Sequence, residues 1–102
     1  MSASIEERKA WLASYPWGFA EVSNKMLCLA GGYQAGRTSA YEDARKWWEE
    51  SHVREMSFAE AVDFLRTAHR KAPFLFLNGN TFAAIGRRIM DTIMWRSGSF
   101  AD

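Results

Sequence analysis

Apolar residues recur along this chain at intervals of three and four, broken by short polar or glycine-bearing stretches. That spacing places side chains on one face of an α-helix. The first such segment opens at Ser4, with Glu7 at the capping-box distance. It carries Trp11 and Leu12 on its apolar side. It ends at Tyr15-Pro16, because the residue before proline is pushed out of the α region. A second helix is predicted from Pro16, where a missing N–H costs nothing. Phe19, Val22, Met26 and Leu29 form its apolar face, and Ala20, Leu27 and Ala30 widen it. Gly31-Gly32 stops it, since glycine adopts the left-handed conformation cheaply.

Ser39 and Glu42 give a second capping-box spacing, ahead of a helix through YEDARKWWEES. Tyr41, Ala44 and Trp48 share its inner stripe, continued by Ser51 or His52. Trp47 lies about 100° around from Trp48, so only one of the two faces the core. Ser57 and Glu60 make the third capping box. The stripe Phe58, Ala61, Val62, Leu65 and Ala68 follows, broadened by Phe64, with Arg66, His69, Arg70 and Lys71 in the second half, where cations suit the negative end of the helix dipole. Pro73 closes that helix.

Residues 73–80 read as a short extended or turn segment: the apolar run Phe74–Leu77, then Asn78-Gly79, a strong turn dipeptide. Asn80 or Thr81 is predicted to cap a last helix with the seam Phe82, Ile85, Ile89 and Ile93. Gly86 inside it costs about 1 kcal/mol relative to alanine, a cost that a close helix crossing would offset. Ser97-Gly98 ends the helix, and the remaining residues read as a tail. The expectation is all-α: one compact domain, residues 1–102, of about four or five amphipathic helices, orthogonal or bundle-like.

Composition narrows the functional classes. The net charge is +1, which supplies no strong field for nucleic acid or an acidic membrane. A single cysteine, Cys28, forbids an internal disulfide and favours a reducing compartment. The charged N-terminus lacks a signal-peptide core, and no apolar run approaches a membrane span. A cytoplasmic protein is expected. Cys28 and Met26 read as core filler.

Candidate chemistry is sparse. His52, His69 and Cys28 stand in no metal-ligand spacing, so neither metal nor cofactor is expected. GGYQAGRT at 31–38 lacks the ending of a phosphate loop and reads as a helix connection. Phe76-Leu77-Asn78-Gly79-Asn80 resembles the F-x-(D/E)-G-N part of the Fic/Doc nucleotidyl-transfer loop. The family's histidine falls on Phe74, its acidic metal ligand on Asn78 and its arginine on Phe82, so the catalytic part of the resemblance is missing. What it implies is a helix start with free amides, where Asn78, Gly79, Asn80, Thr81 and Arg87 would hold an anion or small ligand. TFAAIGRRI resembles the first helix of a helix-turn-helix, but no recognition helix follows, which disfavours nucleic-acid binding.

The remaining signal is aromatic. Five Trp, seven Phe and three Tyr together exceed what a domain of this size seals completely, although most of the tryptophans read as core. Trp47, Trp48, Met94 and Trp95 are the candidate interface anchors. The first reading is a non-enzymatic helical protein, an adaptor, regulator or inhibitor, that binds a protein partner or a second copy of itself. A small-molecule- or anion-binding enzyme or sensor is the alternative, and a nucleic-acid-binding regulator ranks third.

Overall fold

Four helices and the segments between them make up the structure, a computed structural model that describes residues 7–96, and side chains as far as Ile93. The helices are α1 (Trp17–Gly31), α2 (Tyr41–Ser51), α3 (Phe58–Lys71) and α4 (Asn78–Arg96). They close a ring: α4 packs against α1 and α3, and α2 packs against the same pair from the other side. The fold is all-α, as expected, with two isolated bridges in place of a sheet.

The segment before α1 departs from its predicted form. Residues 7–15 hold no helix. Lys9 pairs with Met56 in an antiparallel bridge, with N–H to O distances of 3.1 and 2.9 Å, so both its backbone groups are spent on a residue far along the chain. Trp11 and Leu12 are both buried against the core even so. Ser4, and with it the first capping box, lies outside the described residues. So do the Ser97-Gly98 stop and the tail.

α1 begins after Pro16, which sits at the cap with φ −65° and ψ 165°. It ends where Gly32 turns left-handed at φ 78° and Tyr33 donates to the Cys28 carbonyl at 2.8 Å. The start of α2 corrects a second expectation. Ser39 caps nothing. The helix starts after Ala40 with no side-chain cap bond, and Thr38 acts in the turn before it: its hydroxyl accepts from the Ala40 N–H at 3.2 Å and donates to the Ala72 carbonyl at 2.6 Å. α3 carries the full capping box. The Glu60 N–H donates to the Ser57 hydroxyl at 3.1 Å, and the Ser57 N–H donates to the Glu60 carboxylate at 2.8 Å.

Asn78-Gly79 is not the turn that the sequence suggests. Both residues lie in the first turn of α4. The chain reverses earlier, through Ala72 at φ 50° and Leu77 at φ 63°, two left-handed residues that are not glycine. Between them, residues 73–75 pair with the loop before α2: Thr38 donates to Pro73 and Leu75 donates to Gly36. The Asn78 side chain then closes a ring with Phe74, accepting from its N–H at 2.9 Å and donating to its carbonyl at 2.8 Å. Backbone groups that have no regular partner are satisfied in this way.

Trp48 occupies the centre of the core, fully buried. Its ring meets those of Trp17, Phe64 and Phe82 with centroids 5.9, 5.2 and 5.7 Å away. Its indole N–H donates to the Tyr15 carbonyl at 2.9 Å, which fastens the N-terminal segment over the core. Tyr41, Ala44, Trp48 and His52 are buried at the α2 side, and Phe82, Ile85, Ile89 and Ile93 are buried on α4, both as the periodicity predicts; α4 also buries Thr81.

Candidate functional site

α1 is turned opposite to its apolar pattern. The residues it buries are Trp17, Ala20, Asn24 and Cys28, at spacings of three, four and four. Val22, Met26 and Leu29, predicted to face the core, are exposed at 57%, 67% and 82%. The predicted filler role of Cys28 agrees with its burial; that of Met26 does not.

The cause of this orientation is polar. Asn24 is buried, and its amide nitrogen donates to the Phe76 carbonyl at 2.7 Å and to the Thr81 hydroxyl at 3.1 Å. Its oxygen accepts from the Cys28 thiol at 3.7 Å. Turning Val22 and Met26 inward would carry Asn24 out to solvent. The Phe76 carbonyl would then lose a donor in a part-buried place, a loss of about 1–3 kcal/mol. Small residues at Ala20 and Cys28 also suit the inner face of a helix packed against α4.

The outcome is an apolar stripe on the open side of α1. At its C-terminal end stands a second apolar group. Tyr33 and Phe76 are both exposed, with ring centroids 5.0 Å apart, and Leu75 is exposed beside Gly36. Helical geometry places Glu21 and Lys25 between the stripe and the core.

Glu21 anchors that polar border. Its two oxygens accept from the Tyr41 hydroxyl at 2.6 Å and from Arg37 at 2.7 Å, with Lys25 4.0 Å away. Tyr41 in turn accepts from the Trp17 indole N–H at 2.9 Å. The Tyr41 hydroxyl, and then Arg37, hold the Glu21 carboxyl below its ordinary range. Burial, and then Glu21, push the Tyr41 hydroxyl up. Arg37 also lies over the Tyr41 ring, 4.1 Å from its centroid. Sequence reading missed this network, because Glu21, Arg37 and Tyr41 come from three separate segments with no motif to join them.

The predicted ligand residues at the start of α4 do not converge as a set. Asn78 is engaged with Phe74. Thr81 is buried and donates to the Leu77 carbonyl at 2.8 Å. Gly79 packs under the His69 ring. Asn80 and Arg87 are exposed and have no side-chain hydrogen bond among the described residues. Of the predicted interface anchors, Trp48 is corrected to a core residue, since nothing of it reaches the surface. Trp47 is half-buried, stacked on Phe64 at 4.2 Å, with the Lys71 ammonium 4.9 Å from its ring centroid. The Met94 and Trp95 side chains lie outside the described residues. Among the described residues no helix is long and apolar enough to cross a membrane, and no cluster of three His, Cys, Asp or Glu could hold a metal. Comparison with protein families, with curated proteins and with solved structures finds no match for this chain.

Proposed function

We propose that this protein acts through protein–protein contact at the open side of α1, and that the first occupant of that face is a second copy of the chain. One observation carries the reading: Val22, Met26 and Leu29 lie outward on one helix while a polar Asn24 takes the inner side. An apolar stripe that the fold itself rejects is stabilised when another surface removes it from water. Methionine suits such a face, because its flexible thioether adapts to different shapes.

A two-fold axis crossing α1 between Lys25 and Met26 would make the stripe complementary to itself. Antiparallel pairing then sets Val22 of one copy against Leu29 of the other. Tyr33 and Phe76 would extend the contact beyond the helix end. Glu21 is already neutralised by Arg37, so the rim brings no carboxylate repulsion to the pairing.

Light scattering coupled to size exclusion, over a range of protein concentrations, tests the reading. The wild-type mass should approach twice that of the 102-residue chain. Met26→Glu with Leu29→Glu should return it to the monomer with an unchanged melting temperature, since neither side chain contributes to the core. A wild-type monomer at every concentration overturns self-association through this face.

A further inference from the structure

The outer side of α3 and α4 holds a separate feature, made of different residues from the α1 face. The two helices leave a groove of about 390 Å³ between them. At one end the His69 ring lies against Gly79. At the other stand Phe58 and Met90. The groove exists because α4 turns Gly79, Ala83 and Gly86 toward it, a row that carries at most a methyl group. Leu65 and Phe82 form its apolar base, and Val62 its flank.

Polar groups enter only from one side. Arg66 and His69 are the titratable residues lining the groove, and no carboxylate lines it. Neither side chain has a hydrogen-bond or ion-pair partner among the described residues. Their neighbours on α3 are engaged elsewhere: Arg70 donates to Thr67 at 3.1 Å, and Lys71 lies over Trp47. The result is an apolar channel with an uncompensated cation beside it.

We propose that this groove binds a small single-chain organic carboxylate, its anionic head at Arg66 and His69 and its hydrocarbon body along Leu65, Phe82 and Gly86 toward Met90. Ligand sites are commonly of about 300–1,000 Å³, mostly apolar, with a few polar groups that fix orientation. From Gly79 to Met90 the helix rises roughly 16 Å, enough for a medium-length alkyl chain. A docked protein helix fits less well. It is about 10 Å wide, and a stable protein contact needs about 800 Å² from each partner. Arginine supplies a two-pronged donor that matches a carboxylate.

Titration with decanoate, followed by the amide resonances of Gly79, Ala83 and Gly86, tests the proposal, with decan-1-ol as the uncharged control. Saturable one-to-one binding is expected below the micelle concentration, with shifts confined to α3 and α4. Arg66→Gln should weaken decanoate by about tenfold and leave the alcohol unchanged. Ala83→Leu, at an exposed position that leaves the core untouched, should fill the groove and abolish binding with an unaltered melting temperature. Absence of saturation overturns the proposal. So does an alcohol that binds as tightly as the carboxylate, or a set of shifts that maps to α1. Groove resonances that move on concentrating the protein alone would assign the groove to a second copy, and would overturn it too.

Discussion

Asn24 and Thr81 meet through a 3.1 Å hydrogen bond across 57 residues of chain, and that contact fixes which side of α1 is inside. Asn24→Ala removes the donor to Thr81 and to the Phe76 carbonyl together. A loss of about 2–3 kcal/mol is expected by urea unfolding. Asn24→Asp should be worse at neutral pH. A carboxylate only accepts, and it would face the Phe76 carbonyl oxygen and a Thr81 hydroxyl already donating to Leu77. Its loss should shrink in acid as the new carboxyl protonates. Equal stabilities for the Asp and Ala variants at neutral pH would contradict this account.

The helix caps give a second prediction, in which two similar serines behave differently. Ser57→Ala breaks a capping box with both bonds made, and should cost about 1 kcal/mol. Ser39→Ala should stay within about 0.5 kcal/mol, as a surface change does. Thr38→Ala should cost about 1–2 kcal/mol, because one hydroxyl ties the turn before α2 to the Ala72 carbonyl at the end of α3. Thermal unfolding of the three variants in one buffer ranks them.

That contrast shows how much of the fold was legible. Ser39-to-Glu42 and Ser57-to-Glu60 are the same pattern in sequence, yet only the second is realised. α2 starts with no side-chain cap, and the neighbouring Thr38 instead reaches Ala72, a residue placed there by the return of the chain. α2, α3 and α4 follow their apolar periodicity, since their large side chains converge on Trp48. α1 does not. Its strongest pattern, Phe19-Val22-Met26-Leu29, is outvoted by one asparagine whose partners lie 52 and 57 residues away. The same holds before α1, where Lys9 prefers Met56 to a local helix. As for the candidate sites, the aromatic surplus pointed to an interface, but the tryptophans it pointed to include the centre of the core. The exposed stripe was instead hidden among residues read as buried.

Two small residues stand in each other's favoured places, which gives a third prediction. Ala72 is exposed at φ 50°, a conformation that costs a non-glycine residue about 1–2 kcal/mol. Ala72→Gly should therefore stabilise the protein by about 1 kcal/mol after the extra freedom of the unfolded glycine is counted. Gly86 lies inside α4, and a Cβ there would meet Leu65 at 3.4 Å, an ordinary contact. Gly86→Ala should gain about 1 kcal/mol. The crossing at Gly86 is thus close without requiring glycine. The double variant should show the sum of the two, measured by chemical unfolding.

A fourth prediction concerns acid. The folded Glu21 carboxyl ionises below its ordinary value of 4.5, through Tyr41 first and Arg37 second. A depressed carboxylate contributes stability above its unfolded pKa and loses it as pH falls through the folded one. Stability should therefore decline below about pH 5, where the unfolded chain begins to take up the proton first. Glu21→Gln should be less stable at neutral pH and should show a shallower decline. Tyr41→Phe should move the Glu21 titration, followed by carboxyl NMR, back toward its ordinary position.

The bond between Asn24 and Thr81 also bears on how the chain is made. Synthesis proceeds from the N-terminus, so α1 leaves the ribosome well before the start of α4. Until Thr81 and Phe76 emerge, α1 has only the smaller contact with α2, and the nascent helix shows water its apolar stripe and the Asn24 side of its buried row. α2 and α3, adjacent in the chain, can meet earlier. The polypeptide thus passes through a stage in which α1 is its least protected part. During that interval a chaperone, or the α1 of a neighbouring nascent chain, competes with α4 for the same helix.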